Sequence, residues 1–312
     1  MKDISFKNYF AITAVIISVI TLQFLILGLV PVFAQNGEIP EGAALSAPAP
    51  DSTGAVETAQ QPAGAAAPEV KTDAASAAAA ITSEEVLQKV EDRYVGKTSK
   101  AAMKMILIDS AGGEKERSLT IYRQKIDNAN LNNFQHFHSP SDMMNTTFLV
   151  NEKDGSQEKF IYLPSFKKIR KIVSKDNNVR YVSSDFSYED LDNFHAADYI
   201  CEKLKEEKLD GEDIYVVECK KKSPDSQYSK FIFKISKEKE LPLLALLHDK
   251  KGGTLIKQIE SRKLKKIKNI WTPFEVEIKD LKNSTATKLV LEKIEYDINL
   301  SADTFTQRNM EK

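Results

Sequence analysis

Apolar side chains recur along the chain with two distinct periods. Over residues 82–94, "TSEEVLQKVEDRY", Leu87, Val90 and Tyr94 fall at i, i+3 and i+7. That single stripe predicts an amphipathic helix. Thr82 and Glu85 have capping-box spacing at its start, and Gly96 ends it. Beyond the helix the period changes to two. "MKMILI" (103–108), "SLTIYRQKI" (118–126), "FIYL" (160–163), "DIYVVEC" (213–219) and "KFIFKI" (230–235) read as strands. So do "LLALLHD" (243–249), "TLIKQIE" (254–260), "PFEVEIKD" (273–280) and "KLVLEKIEYDI" (288–298). Turn signals separate them at Asp210-Gly211, Lys222–Asp225, Lys250–Gly253 and Lys282–Ser284. Strands this close together, with no helices between them, pair antiparallel. About ten or eleven of them exceed a flat sheet, so the sheet is expected to curl strongly.

The first quarter of the chain follows neither period. Lys2 and Lys7 precede the apolar run "FAITAVIISVITLQFLILGLV", and Pro31 and the small Ala34 follow it. A basic end, an apolar core and a small-residue site make an export signal. The core also approaches the ~20 residues that span a bilayer. Residues 1–34 are thus a signal cleaved after Ala34 or a retained inner-membrane anchor through residues 10–30. Either one leaves the rest exported to the periplasm. From residue 35 to about 80 the composition turns to Ala, Pro, Gly, Ser and Thr with no aromatic residue, as in "EGAALSAPAPDSTGAVETAQQPAGAAAPEV". Such a stretch buries too little apolar surface to offset its ordering entropy and is expected to act as a disordered linker. The folded domain is then 81–312.

Charge narrows the partners. The 312 residues carry a formal net charge of −1, which gives no electrostatic reason to expect nucleic acid. No Gly-rich phosphate loop, no Gly-x-Ser-x-Gly elbow and no His-Glu-x-x-His is present, and no cofactor is expected. Cys201 and Cys219 are the only cysteines, and neither lies near the signal, so the chain is not expected to be a lipoprotein itself. The two flank the Asp210-Gly211 turn almost symmetrically. In a hairpin they would lie nearly opposite one another, and an oxidising compartment leaves a cross-strand disulfide and two free thiols as alternatives. His136 and His138, in "FQHFH", project from one side of a strand. A zinc site wants three or four ligands, so the pair is read as surface or rim and no metal is expected.

Two neighbouring motifs are more specific. "YLPSFKKIRKI" (162–172) precedes "SSDFSYEDL" (183–191), and together they resemble the signature of the bacterial outer-membrane lipoprotein-sorting proteins, relatives of the periplasmic carrier LolA. The resemblance continues through "FHSPSDMMNTTFLV" (137–150), "LDGEDIYVVECKKK" (209–222), "ELPLLALLHDKKGGTLIK" (240–257) and "IWTPFEVEIKD" (270–280) to "DTFT" (303–306). One departure is Ser183, which stands where the family has a glycine; if that glycine needs a positive φ, the turn should differ here. The resemblance implies a mainly β (α+β) fold, a strongly curved antiparallel sheet forming an incomplete barrel with a helical lid. It also implies an activity, the holding of acyl chains in transit across the periplasm.

The alternation itself suggests a site. One face of every strand in a curled sheet points inward. The expected cavity set is Met103, Met105, Leu107, Phe148, Phe160, Tyr162, Phe231, Phe233, Leu243, Phe274 and Val276. One short helix does not cover so many bulky residues, and the methionines suit irregular ligands. The motif residues Tyr162, Leu163, Pro164, Lys168, Arg170, Ser184, Asp185, Phe186, Tyr188, Glu189 and Asp190 place a basic strand beside an acidic aromatic turn. Exposed ion pairs, worth up to ~1 kcal/mol each, suit a reversible latch over a cavity mouth. A docking patch is the next choice and catalysis a distant third. The function expected is a non-enzymatic, monomeric carrier or chaperone that binds acyl chains of lipoproteins or lipids for transfer toward the outer membrane, with an inner-membrane transporter or an outer-membrane acceptor as partner. The alternative is a lipid-sensing accessory subunit of a membrane transporter or signalling protein.

Overall fold

Thr98–Ile108 (β1) takes one neighbour from the strand that follows it and the other from far along the chain. It pairs with Glu114–Lys125 (β2) on one side and Thr285–Tyr296 (β13) on the other. The computed structural model describes residues 80–127 and 130–312. The signal or anchor (1–34) and all but the last residue of the linker (35–80) lie outside the described residues.

The helix α1 is Ser83–Asp92, and Thr82 caps it with the reciprocal Thr82–Glu85 box. The other strands are Leu131–Ser139 (β3), Thr147–Lys153 (β4), Ser156–Leu163 (β5), Lys168–Ile172 (β6), Tyr199–Leu209 (β7) and Glu212–Lys221 (β8). Tyr228–Ser236 (β9), Pro242–Asp249 (β10), Leu255–Ile267 (β11) and Ile270–Asp280 (β12) complete a single antiparallel sheet. Its 13 strands run in the order β6-β5-β4-β3-β2-β1-β13-β12-β11-β10-β9-β8-β7, so the count exceeds the ten or eleven expected. β6 is short, and β3 and β7 are mostly polar with little apolar alternation, which explains the shortfall. The sheet is curved and unclosed, because its edges β6 and β7 do not pair with each other.

Pairing fixes which side chains share a face. One row across the concave face runs Arg117, Met105, Leu289, Val276, Ser261. Another runs Leu107, Thr287, Ile278, Ile259, Ala245, Phe233, Val217, Leu204. Between them the convex face carries Glu260, Arg262, Glu275, Glu277 and Lys288, joined by ion pairs such as Arg262–Glu277 at 3.0 Å. Apolar inside and charged outside is the alternation of a sheet with one wet face.

The concave face is covered at both flanks. At the β1–β6 end, residues 173–191 insert Tyr181, Phe186 and Tyr188 among Met105, Leu119, Phe137, Phe148, Ile161 and Ile172. At the β8–β10 end, α1 lays Val86 and Leu87 on Val217, Phe231, Phe233 and Leu247, with Phe194 and Tyr199 beside them. A third cluster lies on the opposite face, where Phe305 and Met310 of the C-terminal 3-10 turns cover Phe134, Leu149 and Phe160.

Cys201 and Cys219 are partners in the β7–β8 ladder and are joined by a disulfide. It staples the edge strand to its only neighbour. Replacing both cysteines with alanine should lower unfolding free energy by about 2–3 kcal/mol, the range for a closed loop of this size. Urea unfolding of the variant and of the reduced wild type checks it.

Candidate functional site

Because β6 and β7 are consecutive in sequence but lie at opposite edges, residues 173–198 must cross the open side of the sheet. This crossing strap carries the acidic motif. Its carboxylates are buried, with Asp185 at 3 % and Glu189 at 4 % exposure, so the expectation of exposed, weak pairs does not hold. The basic strand is not their partner either. Lys168 is exposed on β6, Arg170 bonds Asp176 at 2.8 Å, and Lys171 bonds Glu158 at 2.5 Å. Pro164 lies in the turn before them and Leu163 packs against the strap cluster.

Each strap carboxylate instead reaches a different part of the sheet. Asp185 accepts from Thr285 at 2.5 Å and Thr287 at 2.7 Å on β13, with Arg180 at 3.1 Å. Glu189 accepts from Ser226 at 2.6 Å and from the Gln227 amide at 2.9 Å. Asp190 accepts from Lys257 of β11 at 2.7 Å, from Tyr228 of β9 at 2.6 Å, and from the Ser187 amide and hydroxyl. Asp192 pairs with Lys159 of β5 and with Lys221 of β8, the latter at 3.1 Å. Lys159 and Lys257 point inward from otherwise apolar faces. Burial alone would lower the Lys221 pKa, but Tyr199, Asp192 and Glu189 hold it well above the ordinary lysine value. Burial and the Asp190 charge push the Tyr228 phenol far up.

The strap is also tied by its neutral groups. Tyr181 donates to Gln135 at 2.9 Å, and Arg117 donates to the Val182 carbonyl. Ser184 bonds the Tyr181 carbonyl at 2.7 Å. Ser183 adopts φ 60° and Val182 φ 43°. Ser183 thus enters the left-handed region itself, so the turn does not differ to suit it. A left-handed residue with a side chain costs roughly 1–2 kcal/mol.

His195 forms a further tie that the sequence did not single out. Its Nδ1 lies 2.9 Å from Glu91 of α1 and its Nε2 2.8 Å from Glu152 of β4. A neutral imidazole has one N–H, so satisfying both carboxylates calls for the charged form. Burial opposes that charge, but the bonds to Glu91 and Glu152 outweigh it and raise the pKa.

The expected cavity residues separate into groups. Met105 and Phe148 are fully buried beneath the strap, and Phe231 and Phe233 lie beneath Phe194 and Tyr199. Phe160 and Tyr162 belong to the opposite face, under the C-terminal turns. Alternation misplaced them because "KFIYL" is apolar on both faces. Leu243 sits at a bulge and joins a separate cluster with Ile214 and Leu241. Met103, Leu107, Phe274 and Val276 are half-buried on the concave face, as are Leu289, Ile259 and Ile121. These form an apolar strip between the two covered flanks. Two cavities lie elsewhere. One of about 150 Å³ beside the strap is polar, lined by Glu189, Asp192 and Lys221. The other, of about 350 Å³, lies at the convex side of β10 and β11, lined by Leu243, Leu244 and Leu264.

His136 and His138 lie with ring centroids 4.7 Å apart, tilted 50° to one another, and bond Asn145 and Thr120, and no third metal-ligating group joins them among the described residues. No helix of the described residues is long and apolar enough to cross a membrane.

This unclosed, curved antiparallel sheet is shared with several solved structures. A lipoprotein-sorting protein domain from Vibrio parahaemolyticus superposes with TM-score 0.70 and 24% identity, covering 73% of this chain and 98% of that one. A DUF1329 family protein from Desulfovibrio piger gives 0.69 and 24%, covering 73% and 97%. A LolA superfamily protein from Nitrosomonas europaea gives 0.60 and 17%, covering 74% and 100%. At these identities the likeness is one of fold. No curated protein matches the chain. A family model described as "Uncharacterized protein" matches residues 130–312, and the chain belongs to that family.

Removing one partner of a buried pair leaves a charge without compensation, at a cost of about 3–5 kcal/mol. Asp190→Ala should lower stability by that amount, and adding Lys257→Met should recover part of it, as chemical denaturation of the single and double variants will measure. For His195 the folded pKa is raised, so its contribution is complete below the ordinary value of 6.5 and is lost as pH rises through the folded value. His195→Asn should therefore cost more stability at about pH 5.5 than at about pH 9, read from urea midpoints at both.

Proposed function

We propose that the domain is a non-enzymatic periplasmic carrier that holds an acyl chain of a lipid or lipidated protein against the concave face of the sheet. The observation that carries this is the uneven cover of that face. Strap and helix bury both flanks completely, yet Met103, Leu107, Val276, Phe274, Leu289 and Ile259 between them remain half-buried. A folded chain ordinarily covers such a contiguous strip, and one left open is a binding surface. The fold shared with a lipoprotein-sorting protein domain supports the same reading.

Transfer to an acceptor membrane or transporter requires release as well as capture. Each buried methylene contributes about 0.8 kcal/mol, so even a short length of chain is held by several kcal/mol. The strap lies beside the strip and is the element whose displacement would widen it. Its buried ion pairs mark it as a firm wall in the resting state, and release calls for a partner that competes for those pairs.

A fluorescent fatty-acyl probe should bind the full-length chain, and Leu289→Asp should weaken binding by tenfold or more with the thermal transition largely kept. Leu289 suits the test because it is only half-buried. Absence of probe binding by the wild type, or equal binding by the variant, would overturn the proposal.

A further inference from the structure

The lower end of the apolar strip is cationic. The pairing register places Asn133, Arg123, Ser99 and Tyr296 in one row across β3, β2, β1 and β13. Arg123 follows Leu119 and Ile121 at alternate positions, so it shares their concave face. Its side chain is exposed to solvent. Desolvation by the surrounding groups lowers its pKa against the opposing pull of Tyr296.

Arg93 approaches the same place from the end of α1. One of its terminal nitrogens donates to the Trp271 carbonyl at 3.1 Å, while its Nε is buried without a hydrogen-bond partner. Desolvation lowers its pKa and the nearby Arg123 charge lowers it further; Tyr296 and Glu240 oppose the shift. Among the described residues, no carboxylate stands within ion-pair distance of either guanidinium. The chain elsewhere pairs its cations freely, down to Lys159 and Lys257 in the interior. The Asn133 amide oxygen, next in the row, is also buried and unpartnered. Buried polar groups normally find partners, and here the Arg93 Nε and the Asn133 Oδ1 have none.

We infer that Arg93 and Arg123 form the polar end of the strip and take the anionic headgroup, carboxylate or phosphate, of the amphiphile whose chain lies along it. This rests on the acyl-binding proposal above. The guanidinium fork matches either oxyanion and is less strongly hydrated than an ammonium, so it tolerates partial desolvation. From Arg123 the strip continues through Ile121 and Met103 to Leu289. That is some 15–20 Å of strand at about 3.3 Å per residue. An amphiphile bound this way has its charge fixed at one end and its tail free to vary in length.

Displacement of the bound acyl probe from the full-length chain tests this with dodecyl phosphate and 1-dodecanol. Dodecyl phosphate should compete at about 10- to 100-fold lower concentration, the effect of charge-assisted hydrogen bonds. Arg123→Gln should remove that preference while leaving competition by dodecanol unchanged, and Arg123→Lys should retain part of it. Equal competition by the two amphiphiles in the wild type, or an intact preference in Arg123→Gln, would overturn the inference and leave the acyl site standing. Failure of both amphiphiles to compete would remove the acyl site and the headgroup assignment together. Inorganic phosphate is the remaining arm. If it raises the melting temperature as much as dodecyl phosphate does, the arginines hold a free anion and the inference is overturned.

Discussion

The two edges of the sheet are consecutive strands, and the chain between them has to cross the hollow. This constraint governs the rest of the molecule. Residues 173–198 cannot run over the outer surface without circling the whole sheet, so they pass over its concave face. A segment in that position must bring its own apolar side chains, and Tyr181, Phe186 and Tyr188 meet that need. It must also satisfy its backbone and polar groups far from bulk water. The acidic residues do so by fastening to β13, β11, β9, β8 and β5 in turn. The strap therefore joins strands from across the sheet, most of which have no ladder contact with one another.

That arrangement explains why lysines point inward from a greasy face. Alone, Lys159 or Lys257 would be costly, and so would Asp192 or Asp190. Together they fix where the strap lies, because an apolar plug could slide along an apolar wall while a paired carboxylate cannot. Buried pairs contribute little net stability against apolar replacements, but they penalise every misplacement. The basic residues of β6 have a different use. Lys168, Arg170 and Lys171 lie on an edge strand, where like charge discourages another chain from adding to the ladder.

Much of the fold could be read from residue pattern. The period-two runs located most strands, the Thr82–Glu85 box located α1, and the Ser-Asp-Phe-x-Tyr-Glu-Asp motif marked the strap. The limits are physical. A strand buried on both faces has no usable parity, so Phe160 and Tyr162 could not be assigned to a side from "KFIYL" alone. Partners of the strap carboxylates lie on strands distant in sequence, as with Asp190 and Lys257, separated by 67 residues. An inward lysine on a strand looks like an outward one until the register is known. His195 belongs to no local motif, since Glu91 and Glu152 reach it from other elements. Arg123 looked like one more polar position on an alternating strand.

The pairing of β1 with β13 bears on how the molecule is made. Thr98 bonds the Ile298 carbonyl, 200 residues away, so the central ladder cannot close until β13 has been made. Until then the early hairpins have no middle to assemble on, and contacts of such high order form slowly. A nascent chain with this wiring holds two unfinished half-sheets, β6 to β1 and β12 to β7, until β13 joins them.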